Sequence, residues 1–287
     1  DILLYPELGM DPLTMKLASM RLVPLQMVSW GHPETSGLPT IDYYLSAELF
    51  EPSQSQNHYR EKLIRLPNLG CCIDPHDVGL SPLNDSDLGI VEGDAVFVCP
   101  GMPFKYMPEY DSVLVRIAQR VNHAKFVFFQ MKQVQPLSDL LLARLSQSFE
   151  QAGLDPTRYL RMTPWRDTAG FHAVLKRANV FLDTIGFSGF NTVMHAMECA
   201  TPIVTFESDF MRGRFGSAIL RRAGLDEFVC LTQDEYVDLA VRLIDEPPKR
   251  TNLIQAIEGG RSRLYGDKEP MQALGNFLAR VPIPETI

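Results

Sequence analysis

A glycine-rich turn between an apolar strand and a helix is the part of this sequence best suited to bind an anion. The predicted strand covers residues 180–183, the turn covers residues 186–189, and Asn191 and Thr192 stand where the helix should begin. The first N–H groups of a helix have no partner within it and carry a partial positive charge. The side chain of Asn191 or Thr192 is expected to cap this end. The pattern therefore predicts an anion site, although an ordinary strand–helix–strand crossover has the same glycines.

Three further loops follow predicted strands and should reach the same edge of the sheet. The first loop holds Phe104 and Lys105, the second Gln130 and Met131, and the third Arg166. A lysine directly after a core strand can hold a diphosphate as a point charge, although a single lysine is more commonly a solvated surface residue. The four loops together predict a binding site for an anionic ligand.

Two ring-bearing side chains near these loops allow two interpretations each. Trp165 could receive a nucleotide base beside the backbone, or it could pack into the core. His195 would lie about one helical turn after the start of the helix and could face phosphate or ribose. A structural histidine on that helix fits the spacing equally well.

From about residue 94 onward, strand-like and helix-like segments alternate regularly, which predicts an α/β fold with a parallel, doubly wound sheet. The predicted strands cover residues 95–99, 126–129, 159–162, 180–183, 203–206 and 227–230. The predicted helices cover residues 111–121, 137–149, a segment capped by Asp167, 213–223 and 233–244. Ligands of such sheets bind beyond the carboxyl ends of the strands, where the four loops lie.

The first 80 residues have a different pattern, which predicts the tail of a second Rossmann-like half. Strands are expected at residues 2–5, 25–29 and 43–46, with a helix at residues 12–21. The segment 51–92 is rich in Pro, Asn, Asp and Ser and is interpreted as a crossover. Pro247 and Pro248 are expected to break the chain, and residues 268–280 to form a last helix. The predicted domains are therefore 1–80, 81–265 and a helix in 266–287 that packs back on the first half.

Composition excludes some classes of function. The chain has 287 residues, 45% of them hydrophobic, and a net charge of −8, which argues against a general nucleic-acid binder. No apolar run approaches the ~20 residues that span a bilayer. Five cysteines without metal-ligand spacing predict free thiols and a cytoplasmic location. Because the chain opens at Asp1, directly before a strand, we expect a fragment of a longer protein.

Three separated motifs, in the same order, carry a resemblance to a known family. They read WGHPETSGLPTIDYY, GFNTVMHAMECATPIVT and MRGRFGSAILRRAGLDEFV. Together they resemble the O-GlcNAc transferase and SPINDLY-like glycosyltransferases, whose relatives include bacterial proteins with tetratricopeptide repeats and adhesin N-glucosyltransferases. The resemblance implies a GT-B fold with two Rossmann-like halves, a UDP-sugar in the cleft, and an inverting, metal-independent reaction without a cofactor. This chain would contain the end of the first half and all of the second.

The resemblance also assigns roles to particular residues. Lys105 would contact the donor diphosphate and support the departing UDP, and Phe104 would lie near the sugar. The other implied donor contacts are Gln130 and Met131 at the sugar, the backbone at Arg166 at the uracil, and Gly189, Asn191 and Thr192 at the diphosphate. His195 stands where many members have an aspartate for the ribose. The loop of residues 31–37 would approach the donor sugar from the first half.

The leading hypothesis is transfer of a sugar from a UDP-sugar to a protein Ser or Thr side chain. Lys105 and the amides near Asn191 could stabilise the departing diphosphate without a metal ion. Glu7 and Asp11 follow the first strand and are the candidates for the catalytic base. A sugar-nucleotide epimerase of the same fold is a second hypothesis, and it would use carboxylates such as Glu7, Asp11 or Glu34. A non-catalytic module that binds nucleotide or a partner is the third.

Overall fold

Two parallel β-sheets organise the chain, one in each of two compact units. The computed structural model describes residues 1–130 and 135–282. The first unit comprises residues 1–74, residues 209–212 and the described residues from Tyr265 onward, and the second comprises residues 75–208 and 213–264. The predicted α/β fold class with parallel sheets is confirmed. The predicted domain ranges 1–80, 81–265 and 266–287 stay predictions.

The sheet of the first unit has four parallel strands that are adjacent in chain order. The strands are β1 (Ile2–Tyr5), β2 (Leu25–Ser29), β3 (Tyr43–Ala47) and β4 (Lys62–Leu66). The fourth strand lies inside the segment 51–92, so the interpretation of that whole segment as a crossover was wrong. Its sequence, KLIRL, places Lys62 and Arg65 among apolar residues and none of it reads as a buried core strand. The strand is recognisable only from its pairing with β3.

The sheet of the second unit has six parallel strands. They are β5 (Ala95–Cys99), β6 (Ala124–Gln130), β7 (Leu160–Pro164), β8 (Val180–Leu182), β9 (Ile203–Phe206) and β10 (Val229–Cys230). All six correspond to predicted strands. The last is shorter than predicted, because residues 226–228 form a 3-10 turn instead.

The strand order of this sheet creates a crevice at one position. The order is β10-β9-β8-β5-β6-β7, so the chain builds outward from β5 to β7 and then returns to place β8 on the other side of β5. This is the strand order of a dinucleotide-binding Rossmann sheet. β5 and β8 are neighbours, and the loops that follow them run in opposite directions, so this position is the switch point of the sheet. Ligands of such sheets bind in the opening between the two loops.

Helices cover the buried central strands, in which Val98, Phe126 and Phe181 are fully enclosed. The helices are α1 (Pro12–Ala18), α2 (Asp111–Arg120), α3 (Gln135–Gln151), α4 (Pro156–Tyr159), α5 (Thr168–Arg177), α6 (Phe190–Glu198), α7 (Phe215–Ala223), α8 (Gln233–Asp245), α9 (Pro247–Gly260) and α10 (Glu269–Arg280). Among these described helices, none is long and apolar enough to cross a membrane.

The prolines at the start of α9 correct one prediction. Pro247 and Pro248 were expected to break the chain, but they occupy the first turn of a helix of 14 residues. A proline in the first turn loses nothing, since the N–H groups there have no partner within the helix, and its fixed φ suits the helix. The two prolines therefore mark a helix start.

Candidate functional site

The loops that follow β5 and β8 come together at the switch point. Lys105 ends the short 3-10 turn Pro103–Lys105 after β5. Its Nζ lies 4.3 Å from the ring centroid of Phe187, in the glycine-rich turn after β8. The Phe104 ring lies 6.3 Å from the same ring, and Phe104 is 60% exposed. The lysine and the glycine-rich turn, predicted from separate parts of the sequence, are therefore neighbours.

Lys105 occupies an environment that favours an anionic partner. Its side chain is half-buried, and this desolvation lowers the pKa of the ammonium, while the nearby Asp183 carboxylate acts in the opposite direction. An ammonium group that has lost part of its hydration gains more from an added negative charge than one in open water does. Binding of a phosphate by Lys105 stays a prediction.

Asp183 accepts the hydrogen bonds that hold the glycine-rich turn, and the sequence pattern did not predict this role. It directly follows β8 and is 3% exposed. Its Oδ1 accepts hydrogen bonds from the backbone N–H groups of Thr184 and Gly189, both at 3.0 Å. Its Oδ2 accepts from Ser188 Oγ at 2.5 Å and from Thr205 Oγ1 at 2.8 Å. One carboxylate thus fixes both ends of the turn.

The same carboxylate connects the turn to the rest of the unit. Ser188 Oγ accepts a hydrogen bond from the backbone N–H of Gly216, in the first turn of α7, at 2.7 Å. The Tyr236 hydroxyl donates to the Asp183 carbonyl at 2.8 Å. Burial raises the pKa of Asp183, and its hydrogen-bond donors, together with Lys105, act against that rise. Hydrogen bonds therefore connect the turn to α7 and α8 of the same unit.

The start of α6 differs from the prediction in how it is capped. Gly189 is the N-cap residue, and among the described residues no side chain caps this helix. Asn191 and Thr192 lie within the first turn, so the expectation that one of them caps it was wrong. A Cβ atom on residue 189 would lie 2.0 Å from Thr192 Oγ1, so this position suits only glycine unless Thr192 moves. Helix amides that no side chain caps suit an anion.

The loops after β6 and β7 flank this site on the other side of β5. Gln130 ends β6, and its carbonyl accepts the N–H of Trp165 at 3.0 Å. The Trp165 side chain is 56% exposed, so it does not pack into the core. Arg166 donates from Nη2 to Thr163 Oγ1 at 3.3 Å, while its buried Nε has no hydrogen-bond partner in the described part of the chain. Met131 lies outside the described residues.

His195 lies in a cluster of histidines on the faces of α5 and α6. Its Nδ1 is 2.9 Å from His172 Nε2 and 3.4 Å from Glu198 Oε2, and its ring centroid is 4.6 Å from that of His76. Burial lowers the pKa of both His172 and His195. His76, His195 and Glu198 have the spacing of metal ligands. Contact between His195 and a nucleotide stays a prediction.

Glu7 and Asp11, the candidate bases, both bond to nearby backbone in the first unit. Asp11 is the N-cap of α1, and its Oδ2 accepts from the Thr14 N–H at 2.8 Å and from Thr14 Oγ1 at 2.6 Å. These hydrogen bonds lower the pKa of Asp11, which makes it a weaker base. Glu7 Oε2 accepts from the Met10 N–H at 3.1 Å. A catalytic role for either stays a prediction.

A buried glutamate holds the loop of residues 31–37 in the first unit. Glu61 is almost fully buried, and its Oε2 accepts from Thr35 Oγ1 at 2.6 Å. Its Oε1 accepts from the backbone N–H of Ser36 at 2.8 Å and also from the Ser36 hydroxyl. The loop conformation therefore depends on hydrogen bonds to one buried side chain.

We expect Glu61→Gln to lower the free energy of unfolding by about 1–3 kcal/mol, because it removes the charge from these hydrogen bonds and turns an amide NH2 toward donors. Urea unfolding of the two proteins measures this. Glu48→Gln, at an exposed position in the same unit, is the matched control and should change stability by less than ~0.5 kcal/mol. Equal unfolding midpoints for the two variants would show that Glu61 does not hold the loop.

Comparisons with known proteins find similarity to protein glycosyltransferases. It is 27% identical over 240 residues to a probable UDP-N-acetylglucosamine–peptide N-acetylglucosaminyltransferase SPINDLY from Solanum lycopersicum, covering 83% of this chain and 25% of that protein. It is 24% identical over 275 residues to the UDP-glucose:protein N-beta-glucosyltransferase of Actinobacillus pleuropneumoniae serotype 7 (strain AP76), covering 94% of this chain and 43% of that protein. No protein-family model matches.

One solved structure is similar over nearly the whole chain. A mutant O-GlcNAc transferase from Thermobaculum terrenum matches 98% of this chain with a TM-score of 0.78 and 27% identity, over 52% of its own length. The predicted resemblance to the O-GlcNAc transferase and SPINDLY-like glycosyltransferases is confirmed, and so is the predicted GT-B fold class. The chain spans about a quarter of the length of the plant relatives that it matches.

Proposed function

We propose that this chain supplies the donor-binding unit of a protein glycosyltransferase, because it is similar to the O-GlcNAc transferases. The enzyme moves a sugar from a UDP-sugar to a protein Ser or Thr side chain with inversion, in the cytoplasm, and requires neither a metal ion nor a cofactor for the transfer. The observation that carries this proposal is the meeting of Lys105 with the glycine-rich turn at the switch point.

Stabilisation of the leaving group is the chemical task of this site. When the bond between the sugar and the diphosphate breaks, negative charge accumulates on the diphosphate oxygens. Lys105 and the amides at the start of α6 are held in place before the reaction. Lys105 lies beside the Phe187 ring, and Asp183 accepts a hydrogen bond from the backbone N–H of Gly189, which precedes α6. Preorganised donors of this kind stabilise developing charge without reorganisation during the reaction.

The acceptor hydroxyl attacks the anomeric carbon from the face opposite to the departing UDP and loses its proton to a base. Glu7 and Asp11 are the proposed bases, with Glu7 preferred, because hydrogen bonds lower the pKa of Asp11. Trp165, with its exposed ring, and the backbone at Arg166 would receive the uracil. Gln130 and Phe104 would lie at the sugar, and His195 at the ribose.

Product analysis tests this proposal against its rivals. The protein is incubated with UDP-GlcNAc or UDP-glucose and a mixture of cytoplasmic proteins, and both nucleotide products and protein masses are followed. We expect slow UDP release, in proportion to a hexosamine or hexose mass added to protein. An epimerised UDP-sugar without transfer would establish an epimerase. Saturable UDP binding with neither product would establish a binding module.

A further inference from the structure

The histidine cluster on α5 and α6 contains neither Lys105 nor residues of the glycine-rich turn, but it includes His195, which the proposed function places at the ribose. His195 and Glu198 are three residues apart and share one face of α6. His172, on α5, and His76, in the segment before β5, complete the cluster. All four residues belong to the second unit. Three imidazoles therefore surround one carboxylate.

The spacing of the group matches that of metal ligands. One ligand atom from each of His76, His195 and Glu198 lies within 4.8 Å of the others. His76 Nδ1 is 3.0 Å from Glu198 Oε1, and His195 Nδ1 is 3.4 Å from Glu198 Oε2. Ligand atoms bound at about 2.0–2.1 Å around a tetrahedral zinc ion are separated by roughly 3.3–3.4 Å. The two separations that involve Glu198 are therefore close to those around a bound ion.

A buried carboxylate oxygen at the centre of the group lacks a hydrogen bond. The Glu198 side chain is only 8% exposed. Its Oε2 is buried and has no hydrogen-bond partner within residues 1–130 and 135–282, although imidazole nitrogens of His172 and His195 each lie 3.4 Å away. A buried carboxylate oxygen without a donor is costly, and a bound cation would satisfy it.

We propose that His76, His195 and Glu198 form a binding site for a divalent transition metal of the zinc type. Two imidazoles and one carboxylate are a ligand set that suits zinc, whereas magnesium and calcium prefer oxygen ligands alone. His172 Nε2 lies 2.9 Å from His195 Nδ1, so an ion bound at Nδ1 would replace that hydrogen bond. The ion would fasten the segment around His76, whose side chain is 48% exposed, to α6.

Cobalt titration tests the site, because Co2+ bound by nitrogen and oxygen ligands in a tetrahedral site absorbs visible light more strongly than the hydrated ion. We expect one equivalent of Co2+ to bind to the wild-type protein, and Zn2+ to displace it. His76→Ala should weaken Co2+ binding by about 100-fold or more. Loss of a residue that only hydrogen-bonds to a metal ligand already costs ~10–100-fold in affinity. His76 is exposed, so its loss leaves the core intact.

A control variant tests whether the loss of binding is specific to this cluster. His123→Ala, at an exposed histidine of the same unit, is the matched control and should bind Co2+ like the wild type. A wild-type protein that shows no tetrahedral Co2+ absorption, or a His76→Ala protein that binds Co2+ as tightly as the wild type, would overturn the proposal.

Discussion

Asp183→Ala should lower the free energy of unfolding by about 3–5 kcal/mol, because it leaves several buried donors without an acceptor. The donors are two backbone N–H groups and the hydroxyls of Ser188 and Thr205, and all four point at a carboxylate that is 3% exposed. Each buried donor that loses its partner costs ~1–3 kcal/mol, and relaxation of the turn reduces the sum. Urea unfolding followed by circular dichroism measures the change.

Two companion variants test whether the loss of stability comes from the buried carboxylate of Asp183. Asp183→Asn keeps the shape and one acceptor oxygen, and the two hydroxyls can rotate, so we expect a smaller loss of about 1–3 kcal/mol. Asp139→Ala removes an exposed carboxylate from α3 and should change stability by less than ~0.5 kcal/mol. If Asp183→Ala unfolds at the same urea concentration as Asp139→Ala, the hydrogen bonds to Asp183 do not support the turn.

Lys105→Ala should weaken UDP binding about 10–100-fold, as expected for the loss of a charge-assisted hydrogen bond of ~1.5–3 kcal/mol. The ammonium is partly desolvated, so it gains from a phosphate more than a surface lysine would. The effect should depend on the diphosphate. Calorimetric titration should therefore find that the wild type binds UDP more tightly than UMP, and that the variant loses most of this difference.

Lys176→Ala is the matched control, because Lys176 is an exposed lysine of the same unit. It should bind UDP with the affinity of the wild type. Uridine, which lacks phosphate, should bind the wild type and Lys105→Ala equally well. A Lys105→Ala protein that retains the preference for UDP over UMP would remove Lys105 from the site.

Much of the second unit could be predicted because most of its strands are short, mainly apolar runs. Ala95–Cys99 and Ile203–Phe206 were predicted to the residue, since both are buried on two faces and flanked by turn residues. β4 was not predicted because its two charged residues, Lys62 and Arg65, resemble those of a surface segment. α9 was not predicted because two prolines break the interior of a helix, although they are compatible with its first turn.

The site could be predicted only where its residues follow strands. Lys105 and the glycine-rich turn follow neighbouring strands, and the strand order that makes them neighbours is a general rule for such sheets. The role of Asp183 could not be predicted, because one of its donors, Thr205, lies on the next strand. The pairing of His76 with Glu198 joins positions 122 residues apart, and no local pattern reports such a contact.

A crystal structure of the protein with UDP tests the central claim most directly. The claim is that the switch point between β5 and β8 binds the diphosphate of the donor. The predicted result is diphosphate density within hydrogen-bond distance of Lys105 Nζ and of backbone amides at the start of α6. UDP bound elsewhere, with Lys105 Nζ still over the Phe187 ring and no phosphate at the start of α6, would contradict it.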